Sequence, residues 1–177
     1  GVQTCALPIC CAVVHPCDTE SLAGALDAAA RGLIIPVLVG PEEKIRMLAA
    51  SAGIDLSGVE LIATPHSHAA AAKAAAMAAA GEVEILMKGS LHTDELLHAV
   101  LEQPGLRTGR RMSHVFRFEV PMYPRPLVVT DAALNIFPTL AEKADIIHNA
   151  IDFAHVMGND NPRVARSEEH TSELQSR

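Results

Sequence analysis

The order of apolar runs and helix boundaries predicts a mostly parallel α/β sheet with helices on both faces. Three observations carry this. Short β-branched runs alternate four times with segments of helical periodicity, the rhythm of parallel strands joined by crossover helices. The first run is short and β-branched and reads as a buried strand, as in a parallel sheet covered on both faces. Cap residues and glycines stand where the helices should start and stop.

Ala12 to His15 reads as a buried strand entering a loop at Pro16. Asp18 or Thr19 then caps a helix with Leu22, Ala25, Leu26 and Ala29 on one face, and Gly32 supplies a left-handed stop. Ile34 to Val39 is the second strand. Gly40-Pro41-Glu42-Glu43 opens the next helix, with Pro41 expected at the first helical position, two carboxylates facing the positive dipole end, and Gly53 closing it. Val59 to Ala63 is a third strand and residues 66–80 a third helix. Ala69 to Ala80 contains ten alanines, which favours helix and allows close approach to a sheet. Glu84 to Met87 is the fourth strand. Thr93 is expected to cap a helix that turns Leu96, Leu97, Val100 and Leu101 inward and ends at Gln103-Pro104-Gly105.

The rhythm then changes. Ser113 to Val120 and Leu127 to Thr130 are strand-like runs separated by Pro121, Pro124 and Pro126. So short a connection cannot hold a helical crossover, so the two strands should be antiparallel or set at an angle. Thr139 and Glu142 form a T-x-x-E capping box, Leu140, Ala144, Ile147, Ile151 and Ala154 repeat at helical spacing, and Gly158 stops the helix.

The 177 residues amount to one domain's worth of chain, and 49% apolar content with four Phe, one Tyr and no Trp implies close-set, helix-rich packing. A formal charge of −7 leaves no basic face for nucleic acid. The absence of an 18-residue apolar window argues against a membrane span, and the few cysteines, without zinc-site spacing, point to a reducing cytoplasm. Residues 1–9 and 166–177 look like in-frame translations of the two strands of a sequencing-adaptor oligonucleotide. Both are expected to be non-native, with residues 10–165 a genuine segment cut at both ends.

In such sheets ligands bind outside the carboxyl ends of the strands. Lys88-Gly89-Ser90 leaves the fourth strand there, where backbone amides and an ammonium would suit a phosphate or a developing oxyanion, although such loops also serve merely as connections. Arg107, Arg110 and Arg111 form the basic cluster of an acidic chain; it could take an anionic ligand or pair with nearby carboxylates. Asp131 could orient a ligand or cap the turn that leads to Asn135. The scattered histidines show no metal-site spacing, so no metal is expected. Neither a nucleophile elbow nor a G-x-G-x-x-G fingerprint is present.

The runs Val13-Val14-His15-Pro16-Cys17-Asp18, Leu38-Val39-Gly40-Pro41, Lys88-Gly89-Ser90-Leu91-His92-Thr93-Asp94-Glu95-Leu96, Arg110-Arg111-Met112-Ser113-His114 and Thr130-Asp131-Ala132-Ala133-Leu134-Asn135 together resemble the phosphate acetyltransferase/phosphate butyryltransferase family. The resemblance runs from about Ala12 to Ala165 and is closest to the branch in which this domain follows an enoyl-CoA hydratase domain. It implies the fold of isocitrate and isopropylmalate dehydrogenases, of which this segment would be the N-terminal part. It also implies reversible transfer of a short acyl group between coenzyme A and inorganic phosphate in a cleft between two α/β domains, with no metal in the chemical step. Coenzyme A is then a substrate, not a permanent cofactor, and the parent a homo-oligomer with neither nucleic-acid nor membrane partners. By the same resemblance Lys88, Gly89 and Ser90 line the cleft, Arg110, Arg111, Ser113 and His114 lie near it, and Thr130, Asp131 and Asn135 shape its floor. The catalytic residues are expected in a C-terminal half beyond this segment, so the segment alone should be inactive. Arg117 and Glu119 depart from the family pattern, which favours an apolar residue and Asp there. Two other classes remain open: a non-catalytic module that binds coenzyme A or another anion, and an oxidoreductase of the same fold.

Overall fold

The computed structural model describes residues 7–165. The chain forms two compact units that divide between Arg107 and Thr108.

The first unit is a four-stranded parallel sheet in the order β3-β2-β1-β4, formed by β1 (Ile9–Val14), β2 (Ile34–Gly40), β3 (Glu60–Ala63) and β4 (Ile85–Lys88). Cys11, Ala12, Val13 and Val14 of the central β1 are wholly buried, because this strand has a strand on each side and helices above and below. The pleat sends alternate side chains to opposite faces. Ala12, Val14, Val37 and Val39 pack with α3 (Ser67–Ala79) and α4 (Thr93–Leu101). Cys11, Val13 and Leu38 pack with Leu22 and Ala25 of α1 (Thr19–Ala30) and Ile45 and Ala49 of α2 (Glu42–Ala52). The mostly parallel sheet with helices on both faces is thus as the sequence indicates. In α3, Ala70, Ala71, Ala74, Ala75 and Met77 are buried, so the alanine run brings a helix close against β1 and β2.

Several boundaries move. β1 starts at Ile9, three residues earlier than expected, because Ile9 and Cys10 already pair with Ile34 and Ile35. Ile9 falls in the segment read as adaptor-derived; the rest of that reading lies largely outside the described residues. Asp18 is the cap of α1 and accepts from Ser21 N at 2.7 Å. Pro41 occupies the cap position of α2 and His92 that of α4, one residue away from the expected assignments in each case. Leu101 is 45% exposed, not inward: α4 buries Leu96 and Ala99, and Leu101 lies about 140° round the helix from Leu96.

The second unit contains an antiparallel pair, β5 (Val115–Phe118) and β6 (Leu127–Thr130), and α5 (Leu140–Val156). β5 is shorter than the run Ser113 to Val120. Beyond the Phe118–Leu127 pair the register would oppose Glu119 to Pro126, which has no N–H to donate. The capping box of Thr139 and Glu142 forms. The expected stripe on α5 is the buried face only toward its C-terminal end. Leu140 is 85% exposed and Ala144 and Ile147 are exposed, whereas Ile151 is half-buried and Ala154 buried, and Ile146, outside the stripe, is buried too. The helix is turned by its polar residues: Glu142, Asp145, Asn149 and Asp152 recur at 3-4-3 spacing and all bond the segment 110–113.

Candidate active site

In the order β3-β2-β1-β4, the chain leaves β1 toward β2 on one side while β4 lies on the other, so the topological switch point falls between the carboxyl ends of β1 and β4. His15 follows β1 with φ 54°, a left-handed conformation uncommon outside glycine. Its N–H donates to Val39 O at 2.7 Å, and its carbonyl accepts from Cys17 N at 2.8 Å and Ser90 N at 2.9 Å. From β4, Gly89 N donates to Val14 O at 2.9 Å. A Cβ on Gly89 would lie 2.6 Å from Val14 O and 2.7 Å from His15 O, so only glycine lets the two strand ends approach this closely. The imidazole of His15 completes the junction, with Nδ1 2.7 Å from Ser90 O. A carbonyl only accepts, so Nδ1 carries a proton and Nε2 is the ring nitrogen left for another partner.

Charged groups ring this junction. Lys88 Nζ donates to Gly89 O at 3.2 Å. The bond from Ser21 N holds the Asp18 carboxyl below the usual carboxylate range; burial opposes this, and the Ser90 hydroxyl and the Lys88 ammonium reinforce it. Burial pushes the Cys17 thiol up, the Lys44 ammonium opposes that, and Asp18 adds to it. Lys88, Gly89 and Ser90 leave β4 at this junction, but the amides of Gly89 and Ser90, expected to be open to an anion, are taken by Val14 O and His15 O. His15, Cys17, Asp18 and Lys44 join them although they were not singled out as site residues. Their signal was positional: a loop directly after a wholly apolar strand, opening the first helix.

In the second unit Arg111, Ser113, His114, Thr130, Asp131 and Asn135 share one hydrogen-bond network. Asp131 has φ 43° and donates its N–H to His114 O at 3.1 Å, beside Thr130 Oγ1 at 3.0 Å from the same oxygen. Its carboxylate accepts from Leu134 N at 2.9 Å and from the Asn135 side-chain amide. Burial pushes this carboxyl up, but the bonds from Asn135, Leu134 and Ala133 together hold it below the usual range. Asn135 in turn donates to Met112 O at 3.0 Å and accepts from Arg111 Nε at 2.6 Å. Asp131 thus closes a turn and, through Asn135, fixes a guanidinium. Ser113 Oγ accepts from Asn149 at 2.9 Å, and the His114 ring packs edge-on to Phe116 at 4.1 Å.

The arginines have carboxylate or carbonyl partners. Arg107 donates through Nε to the C-terminal Leu101 carbonyl of α4 at 2.9 Å. Arg110 pairs with Asp152 at 2.6 Å and Arg111 with Glu142 at 3.4 Å. Of the two readings of the basic cluster, pairing with nearby carboxylates holds for Arg110 and Arg111, a consequence of the acidic stripe on α5. Histidines occupy helix boundaries: His66 Nδ1 caps α3 by accepting from Ala69 N at 3.2 Å, and His98 lies beside Glu102. Among the described residues no cluster of three or more His, Cys, Asp or Glu could hold a metal ion.

Residues 66–167, running from the cap of α3 through β4, the hairpin and α5, match the family model described as phosphate acetyl/butaryl transferase. The chain belongs to the phosphate acetyl/butaryl transferase family. It is 56% identical over 154 residues to a phosphate acetyltransferase of Rhizobium meliloti, covering 86% of this chain and 49% of that protein. To a phosphate butyryltransferase of Clostridium acetobutylicum it is 38% identical over 149 residues, covering 84% of this chain and 50% of the relative. This phosphate acetyl/butaryl transferase family member spans about half the length of the curated relatives it matches. Its fold is like that of a phosphotransacetylase from Streptococcus pyogenes, with TM-score 0.76, 17% identity and coverage of 94% of this chain and 60% of that one.

Proposed function

We propose that this chain contributes to an enzyme that moves a short acyl group between coenzyme A and inorganic phosphate. In the synthetic direction the coenzyme A thiolate attacks the acyl carbonyl, the C–S bond forms, the C–O bond to phosphorus breaks, and phosphate leaves with the electron pair. The observation that carries this reading is the 56% identity over 154 residues to a phosphate acetyltransferase. The substrate-lining set is Lys88, Gly89, Ser90, Arg110, Arg111, Ser113, His114, Thr130, Asp131 and Asn135. Lys88 supplies the positive charge at the end of β4, the amides of Gly89 and Ser90 being spent on Val14 O and His15 O, and Arg111, oriented by Asn135 and shared with Glu142, supplies a guanidinium for a phosphoryl oxygen. The finer assignments that the resemblance implies are the N-terminal part of the fold of isocitrate and isopropylmalate dehydrogenases, a homo-oligomeric parent, and acyl-CoA and phosphate as substrates, with no permanent cofactor; adaptor-derived ends and a cytoplasmic location rest on the terminal residues and the cysteine usage.

Positioning is the larger energetic demand. A thiol of pKa about 8.5 is a few per cent thiolate at pH 7, so forming the nucleophile costs only about 2 kcal/mol. Holding thiolate and acyl phosphate in attack geometry contributes about 7–11 kcal/mol. A chain that supplies one wall of a two-walled cleft lacks that term. The test measures acyl-phosphate-dependent acyl-CoA formation by the 177-residue chain and by a protein of the relatives' length that carries this sequence. Turnover by the longer protein alone is expected. Its absence there refutes the activity, and full turnover by the 177-residue chain refutes the two-walled cleft.

A further inference from the structure

We propose that His15 contacts ligand: its Nε2 takes up a proton and donates a hydrogen bond to a phosphoryl oxygen bound between the carboxyl ends of β1 and β4. Three observations converge on this residue. Its backbone is left-handed, φ 54°, directly after a regular strand; such strain in a non-glycine residue persists only where surrounding bonds enforce it, and it gathers at ligand sites. The surroundings do enforce it. The N–H of His15 is bound to Val39 O, its carbonyl accepts from both Cys17 N and Ser90 N, and Nδ1 donates to Ser90 O at 2.7 Å. One functional group of the residue is left. Nε2 is not among the buried polar atoms without a partner, and no described residue bonds it.

The charges on the loop residues that follow His15 and on the end of β4 favour one sign of ligand. Lys88 comes from β4, Lys44 from α2 and Asp18 from the cap of α1, and Asp18 is already engaged by Ser21 N. Two ammonium groups against one occupied carboxylate favour an anion. A neutral imidazole with its proton on Nδ1 offers that anion only a lone pair. A bound phosphoryl group therefore draws a proton onto Nε2, and imidazole is the side chain that changes charge between pH 5 and 8. The choice of a phosphoryl ligand rests on the proposed acyl transfer. Inorganic phosphate, acyl phosphate and the phosphates of coenzyme A share this chemistry.

The decisive variant is His15→Asn. Asparagine tolerates the left-handed backbone, and its amide can repeat the donation to Ser90 O, so Nε2 is what it removes. In the 177-residue chain, inorganic phosphate is expected to move the imidazole nitrogen resonance of His15 Nε2 from its lone-pair to its protonated position. The ratio of wild-type to His15→Asn affinity for phosphate should rise from pH 8 to pH 6, which removes phosphate's own ionisation from the comparison. His15→Asn should weaken phosphate binding about tenfold at pH 6 with an unchanged unfolding midpoint. A shift given by adenosine 3′,5′-bisphosphate in place of phosphate assigns the same contact to the nucleotide end of coenzyme A. A resonance unmoved by both probes, or an Asn variant that binds as wild type at every pH, overturns the proposal. Normal acyl transfer by the longer protein carrying His15→Asn, with unchanged KM for phosphate, also overturns it and leaves the transferase reading standing. An imidazole shift without any acyl transfer does the reverse.

Discussion

Gly89→Ala places a methyl group where the backbone leaves no room. The added Cβ would lie 2.6 Å from Val14 O, 2.7 Å from His15 O and 2.9 Å from His15 C, all main-chain atoms that no rotamer change can move aside. Relief requires β4 to move from β1, which stretches the bonds Gly89 N to Val14 O and Ser90 N to His15 O, both 2.9 Å. Overpacking of this kind costs about 1–3 kcal/mol, and each of the two weakened hydrogen bonds about 0.5–1.5 kcal/mol, so the expected loss is about 2–6 kcal/mol. With a urea m-value of about 2 kcal/mol/M, the unfolding midpoint followed by far-ultraviolet circular dichroism should fall by about 1–3 M at unchanged slope. Gly24→Ala is the contrasting substitution: nothing lies within 4 Å of its added Cβ in the middle of α1, so it should raise stability by about 0.5–1 kcal/mol. A Gly89→Ala midpoint within about 0.3 M of wild type would refute the argument that close approach at this junction demands glycine.

Three further outcomes are expected. Asp18→Ala should cost about 1 kcal/mol near neutral pH through loss of the α1 cap. Because the folded carboxyl titrates below its unfolded value of about 3.9, this contribution is present above that pH and is lost as pH falls through the folded value. Wild type and variant should thus converge in acid, and melts that stay parallel down to low pH would contradict this. Asp131→Asn sets an amide against the Asn135 amide and should destabilise the second unit by about 1–3 kcal/mol, seen as earlier loss of Tyr123 fluorescence change in urea. It should also remove the part of the acid destabilisation that begins below about pH 4, since this carboxyl too is held low. Finally, Cys17 should be alkylated by iodoacetamide more slowly than a free cysteine at pH 8, with its rate inflecting above about pH 8.5, because burial outweighs Lys44. An inflection below that of a free cysteine would show that the lysine dominates.

The strand and helix alternation of the first unit is legible because each element carries its own signal. The wholly apolar runs of β1 and β2 are satisfied only by a strand covered on both faces, and glycines at 32 and 53 accept the positive φ that stops a helix. The antiparallel hairpin follows from chain length, since no crossover fits between Phe118 and Leu127. The face of α5 was legible from apolar periodicity only toward its C-terminal end. Leu140, Ala144 and Ile147 make a convincing stripe, yet the helix is oriented by Glu142, Asp145, Asn149 and Asp152 bonding the 110–113 segment. Those partners are distant in sequence, and an arginine pair gives no sign of which carboxylates will meet it.

The candidate site divides in the same way. Lys88-Gly89-Ser90 could be singled out from the sequence because it follows a strand, and strand ends are where parallel sheets leave backbone groups open. That His15 is the residue standing opposite it is a matter of strand order: β1 and β4 are some seventy residues apart in the chain but hydrogen-bonded neighbours in the sheet. Local sequence sets propensity, capping and the polarity of each face, all short-range quantities. Which strand ends become neighbours, which backbone is forced left-handed and which imidazole nitrogen keeps its proton depend on contacts between residues far apart in the chain, and only the assembled sheet supplies them.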